Sequence, residues 1–216
     1  MHRGPDDQRE KAGAKIELGH ELSPQEIADR EPWGVVVATG GEPLRPRSIA
    51  GLDGENVFTA PQIIHREKEL HDADVVVAGS GLTVLETAEL LCQAGNRVTI
   101  LEMAEELAPG AWFQLVDDEL ERLVPAGVRF ELGTKLLAVD GEGVTVQEVK
   151  SGRTRKIPAD YLVLSLGVRP AGDLARQLDK RSVMRIWRVG DAVTSGTIAD
   201  ACLSAYDTVM SIKPAD

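Results

Sequence analysis

DVVVAGSGLTVLETAELLCQAGNRVTILE, residues 74–102, is the stretch that decides how this chain is read. Val75, Val76, Val77 and Ala78 form an apolar run of the kind found in a parallel strand buried on both faces. Gly79 permits a tight turn, and Gly81 removes a side chain where a helix is about to begin. Val84, Leu85, Ala88, Leu91 and Cys92 then recur at three- and four-residue spacings, a stripe wide enough to face a core. Cys92 falls on that stripe and is expected to be a buried, apolar thiol. Gly95 and Asn96 close the helix, Arg97 to Leu101 form a second strand, and Glu102 ends it about 20 residues past Gly79.

Strand, glycine turn, helix, strand and acid, in that order, suit a bound dinucleotide. The first N–H groups of the helix face a pyrophosphate, and a carboxylate at the end of the second strand accepts from the ribose 2′-OH. A carboxylate there repels a 2′-phosphate, so NAD(H) is expected over NADP(H). The third small position of the pattern is occupied by Val84. Valine is expected to push the helix outward and loosen the grip on the phosphates. A β-α-β unit that binds nothing is the competing reading of the same residues.

Upstream, Ser23 and Glu26 have the spacing of a capping box, with Pro24 at the first helical position, so a short helix is expected through Arg30. Lys15 to Leu18 alternates like a short strand. Val35 to Ala38 reads as a buried strand stopping at Thr39, Gly40 and Gly41. A Pro- and Gly-rich connection follows, with a short strand at Val57 to Thr59 and a helix from Gln62 to Glu69. Downstream, Ala111 to Leu123 is an amphipathic helix whose core face would hold Val116, Leu120, Leu123 and Val124. Its acids Asp117, Asp118, Glu119 and Glu121 would form a solvated face. Val128 to Leu132 alternates as a strand. Lys135 to Val139, Val144 to Val149 and Arg153 to Ile157 are three short strands joined by glycine turns, a meander. Tyr161 to Leu166 is again a buried strand, ending at Gly167. A short helix around Leu174 to Leu178, a strand from Val183 to Val189 and a helix from Ile198 to Met210 complete the chain. Ala199, Cys202, Leu203, Tyr206 and Met210 lie at core spacing on that last helix.

The 216 residues are 43% hydrophobic and 27% charged, the composition of a globular protein, with only 4% aromatics and a net charge of −11. Such acidity argues against a nucleic-acid surface or an anionic membrane, which call for clustered Lys and Arg. No apolar stretch approaches a membrane span. Two cysteines without C-x-x-C spacing and four scattered histidines imply no metal site and no thiol redox centre; a cytoplasmic setting is expected. His2, His20, His65 and His71 are expected at the surface, and Trp33, Trp112 and Trp187 are expected to pack or cover.

GSGLTVLETAELL, the VTILEM acid, SLGVRP, the upstream VVVATGGEPL and the late VGDA…IADA together resemble the two-dinucleotide-binding flavoprotein fold. The chain is most similar to the C-terminal region of the NADH:flavin oxidoreductases related to 2,4-dienoyl-CoA reductase, 2-enoate reductase and trimethylamine dehydrogenase. The resemblance implies an α/β chain: a Rossmann-like parallel sheet with a three-stranded antiparallel meander, inserted into a partial FAD-type domain. Residues 1–69 and 170–216 would be the two segments of that partial domain, and 70–169 the NAD(P)-binding domain. It further implies that Gly79, Ser80, Gly81, Leu82 and Thr83 hold the pyrophosphate and that Glu86 lies near the nicotinamide. Glu102 would take the adenosine ribose, and Gly167 would border the nicotinamide side. Ala38, Thr39 and Gly40 would touch the adenosine side of FAD, and Gly190 and Asp191 its ribityl or pyrophosphate part. No catalytic side chain is implied.

The family's flavin-binding glycine fingerprint lies upstream of the residues matched here, so half of the FAD site is expected to be missing. The first expectation is therefore an oxidoreductase module that binds NAD(H) and passes hydride to a flavin carried by another segment or chain. The alternative is a non-catalytic ADP- or NAD-binding module, structural or regulatory. Asp191 has its own structural alternative, capping the turn before the last helix. Apolar edges left open by a missing strand would favour self-association, and hence a homo-oligomer.

Overall fold

A computed structural model describes residues 13–79, 81–171, 173–179 and 185–213. In chain order the elements are α1 (Pro24–Asp29), β1 (Val35–Val37), β2 (Gly41–Pro43), β3 (Val57–Thr59), α2 (Ala60–Ile64), β4 (Asp74–Gly79), α3 (Leu82–Gln93) and β5 (Arg97–Leu101). There follow α4 (Phe113–Leu123), β6 (Arg129–Glu131), β7 (Thr134–Asp140), β8 (Gly143–Glu148), β9 (Thr154–Pro158), β10 (Tyr161–Ser165) and β11 (Val168–Pro170). The last are α5 (Asp173–Asp179), β12 (Ile186–Arg188), a 3₁₀ turn (Gly190–Ala192) and α6 (Ile198–Ser211). Chain contacts divide the molecule into two units, one from residues 40–170 and the other from the segments on either side. Residues 40–69 thus fold with the larger unit, where β3 joins its sheet.

The larger unit is built on a five-stranded sheet of order β3-β10-β4-β5-β6, parallel throughout. The valine run of β4 explains its central place. Side chains alternate across a strand, so Val75 and Val77 face one layer and Val76 and Ala78 the other. Val75 and Val77 join a core with Ile63 of α2, Leu85 and Leu91 of α3 and Leu123 of α4. Val76 and Ala78 join a second core with Leu136 and Val139 of β7 and Val144 and Val146 of β8. The meander, order β7-β8-β9 and antiparallel, therefore covers one face of the sheet and helices the other. This burial on both faces is what an all-parallel sheet requires. Beside it, β2 pairs antiparallel with β11, Gly41 opposite Pro170.

The smaller unit contains the two-stranded parallel pair β1–β12. Ile27 of α1, Val37, Ala175 and Leu178 of α5, and Ala192 form its core. The capping box of Ser23 and Glu26 is present.

Several expectations change here. Val36 is 46% exposed while Val37 is buried, so β1 is buried on one face only among the described residues. Residues Lys15 to Leu18 form no strand, the helix near Gln62 spans Ala60–Ile64, and Val124 of the expected α4 core face is exposed. The stripe on α6 does not face a core: none of its residues is buried, and Ile198 is 86% exposed. Of the expected Val183–Val189 strand only Ile186–Arg188 is seen, its start lying outside the described residues. His20, His65 and His71 are exposed. Trp33 and Trp187 stack with ring centroids 5.9 Å apart, and Arg185 lies 4.4 Å over the Trp33 ring. No helix among the described residues is long and apolar enough to cross a membrane.

Candidate dinucleotide site

Gly79 is the last residue of β4. Its φ is +143°, and a Cβ there would strike the Ser165 carbonyl of β10. The first glycine of the pattern is thus required by the neighbouring strand. Gly81 differs: it caps α3 with φ +96° and ψ 171°, a region that essentially only glycine adopts, and a Cβ would meet nothing within 4 Å. The helix start receives no side-chain cap, and within the first turn the Val84 N–H donates to the Gly81 carbonyl at 3.2 Å. Leu82 is half-buried, while Thr83 and Glu86 are exposed along the first turns. Ser80 lies outside the described residues.

Val84 is 1% exposed and belongs to the helix-side core with Val75 and Val77. Its methyls fill space between α3 and the sheet where a smaller residue would leave a gap. Cys92 packs against the same core, and burial, with the Glu89 charge beside it, pushes its thiol up. It is therefore a poor nucleophile.

Glu102 follows β5 directly and is 6% exposed. Its main chain is fixed on both sides: its N–H donates to the Glu131 carbonyl at 3.1 Å, and its carbonyl accepts from the Thr134 N–H at 2.8 Å. Oε1 accepts from the Ala104 N–H at 2.7 Å. Oε2 is buried and has no hydrogen-bond partner. Glu102 and Gly79 line one crevice of about 330 Å³ at the carboxyl ends of the strands, on the meander side. In open α/β sheets this is the end at which ligands bind. Ile49 and Ser48 from the Pro-rich connection form another wall, with Met103, Thr134 and Leu136. The motif reading missed these residues. Only the crowding of Pro43 and Pro46, which stiffens that connection, hinted at them.

The remaining candidates fall elsewhere. Gly167 is exposed with φ +88°, and its carbonyl accepts from the Leu44 N–H at 3.0 Å. Ala38 and Thr39 are exposed in the smaller unit, and the Thr39 hydroxyl donates to the Ala171 carbonyl at 2.7 Å. Gly40, φ +71°, has open space around it. The Gly190 N–H donates to Ser204 Oγ at 3.1 Å, and Asp191 Oδ1 accepts from the Gly196 N–H at 3.2 Å. Asp191 therefore caps the turn before α6, as its structural alternative required. Tested against the two cofactors, Glu102 and Gly81 fit a dinucleotide, one with an unmet acceptor and the other with empty space. Thr39, Gly190 and Asp191 each make one of the bonds named above inside the protein.

The pyridine nucleotide-disulphide oxidoreductase family matches residues 28–196, and the chain belongs to that family, whose members bind NAD(P)H and FAD. The chain is similar to an NADH oxidase from Thermoanaerobacter brockii, 32% identical over 211 residues, which cover 94% of this chain and 31% of the relative. It is also similar to a bilirubin reductase from Mediterraneibacter gnavus (strain CC55_001C), 34% identical over 155 residues, 72% of this chain and 24% of the relative. Among solved structures, a 2-naphthoyl-CoA reductase in complex with 2-naphthoyl-CoA superposes with a TM-score of 0.87 at 23% identity, over 97% of this chain and 31% of that one. A histamine dehydrogenase from Rhizobium sp. 4-9 gives 0.78 at 18% identity, over 91% and 33%. The fold is shared with both. The chain spans between about a quarter and a third of the length of the curated relatives named here.

Proposed function

We infer that this chain is the pyridine-nucleotide-binding region of an FAD-dependent NADH:flavin oxidoreductase resembling 2,4-dienoyl-CoA and 2-enoate reductases. The observation that carries this reading is Glu102, which lines one crevice with Gly79 and whose Oε2 is buried without a donor. A buried carboxylate oxygen left unpaired costs stability until a donor arrives, and a ribose hydroxyl is such a donor. In this reading Gly79 to Thr83, Ser80 included, hold the pyrophosphate at the start of α3, where Gly81 leaves room for it. Glu86 and Gly167 border the nicotinamide half. Ala38, Thr39, Gly40, Gly190 and Asp191 border the flavin, which another segment or a partner chain supplies.

NADH brings the hydride. The chain's own residues bind and orient it, because hydride transfer needs the reacting atoms held about 3–3.5 Å apart. No side chain of this region is assigned as acid, base or nucleophile.

Titration calorimetry with NADH and NADPH tests the reading. NADH should bind tighter by about tenfold or more, since a 2′-phosphate meets the Glu102 charge. Equal affinities, or no binding of either, overturn it. A second reading, a binding module without turnover, is favoured by the internal bonds of Thr39 and Asp191. A chain that binds NADH yet neither retains nor reduces added FAD would be that module.

A further inference from the structure

We propose that the amino-terminal end of the parallel sheet carries a second ligand site, a groove between β4–β6 and β9 that takes the carboxylate of a small organic monoanion on Arg129 and Thr99.

The groove encloses about 330 Å³, at the low end of the range for small-molecule pockets. It lies where β4, β5 and β6 begin, the opposite end of the strands from the Gly79–Glu102 crevice. Alternation along the strands builds it. Val98 and Phe130 pack into the helix-side core, so Arg97, Thr99 and Arg129 face the meander. Thr99 and Arg129 are register partners on β5 and β6, about 4.8 Å apart as neighbours on adjacent strands. Val76 of β4 supplies an apolar wall from the sheet, and Ile157 and Pro158 of β9 supply another from the meander.

The charges that line the groove do not cancel. Arg97 clasps Asp74 through Nε and Nη2, both at 2.7 Å. Arg155, beside the groove, pairs with Glu131. Asp160 accepts from the Asp74 N–H at 2.8 Å and is not among the lining residues. Among the described residues, Arg129 makes no hydrogen bond or ion pair, and the Thr99 hydroxyl has no partner. One guanidinium thus stands unmatched in a chain of net charge −11, next to a half-buried hydroxyl. A carboxylate can accept two parallel N–H bonds from that guanidinium and a third from Thr99. Its apolar remainder then lies along Val76, Ile157 and Pro158. The Arg97 bonds, with the Arg129 charge behind them, hold the Asp74 carboxyl below its usual value. Asp74 therefore stays charged at neutral pH and repels a dianion. The groove suits a monocarboxylate better than inorganic phosphate.

The test follows the amide chemical shifts of Thr99 and Arg129 by NMR while the chain is titrated with benzoate, benzyl alcohol or inorganic phosphate. Benzoate should shift both amides saturably, and the other two should bind at least about tenfold more weakly. Arg129→Gln should weaken benzoate about ten- to a hundredfold, and Thr99→Val about three- to tenfold. Arg129 is exposed, so its replacement leaves the core intact, and the same spectra report the folding of each variant. Lys68→Gln removes an equal charge outside the groove, over the Phe58 ring, and should leave the affinity within about twofold. No saturable shift with benzoate would overturn the proposal. So would phosphate binding as tightly as benzoate, unchanged affinity in Arg129→Gln, or equal weakening by Lys68→Gln.

Discussion

Gly79 and Ser165 sit opposite one another on β4 and β10, so close that a Cβ on Gly79 would run into the Ser165 carbonyl oxygen. Gly81, two residues on, has no such neighbour. The two glycines of one motif are therefore held by different constraints, one by the protein and one by backbone conformation and the space in front of it.

Gly79→Ala should destabilise the fold by about 3 kcal/mol, the strand having to give way to a backbone atom. Gly81→Ala should cost about 1–3 kcal/mol, through backbone strain alone, and should lose NADH binding in a chain that still folds. Urea denaturation paired with calorimetry separates the two. Similar stability losses without loss of binding at Gly81 would show that the space before α3 is not used.

Val84→Ala should cost about 2 kcal/mol, as for a methyl pair removed from a closed core. Thermal unfolding measures this directly. A stabilised variant would mean that valine is overpacked between α3 and the sheet, the outward push expected from the motif.

Glu119 gives the stability a pH dependence. Its side chain is 13% exposed; one oxygen pairs with Arg122 at 2.9 Å, and Oε2 is buried without a partner. Burial pushes its carboxyl above the usual value of 4.5; Arg122 opposes that, while Glu89 and Glu86 add to it. The folded chain then holds this proton more tightly than the unfolded chain, so its contribution to stability falls as pH rises from about 4.5 through the raised value. Glu119→Gln should flatten that slope in denaturation curves across mildly acid pH. An unchanged slope would place the proton elsewhere.

On α6, Leu203→Glu and Tyr206→Glu should change stability by no more than about 0.5 kcal/mol, the usual range for exposed positions. Both residues are more than half exposed, so little apolar area is lost. A drop of several degrees in melting temperature would show that this face is covered in solution.

The β4–α3–β5 unit was legible because each part follows from local pattern: a valine run, a helical stripe, and an acid at a fixed spacing. The position of Glu102 followed from that spacing, but its sealed Oε2 did not, since it depends on the turn to Ala104 and the packing of β7. Periodicity on α6 gave an apolar face without saying what covers it, and so its burial was misread. Glu119 looked like its acidic neighbours, and only the approach of α3 turned it inward. The Thr39 bond to Ala171 joins residues too far apart in sequence for any local signal.

The pairing of β2 with β11 brings residues 41 and 170 side by side. The larger unit thus leaves the chain where it enters, like a cassette spliced through one narrow doorway. Such a portion can be cut out, duplicated or transplanted with little disturbance to the host, a geometry suited to modular reuse across otherwise different enzymes.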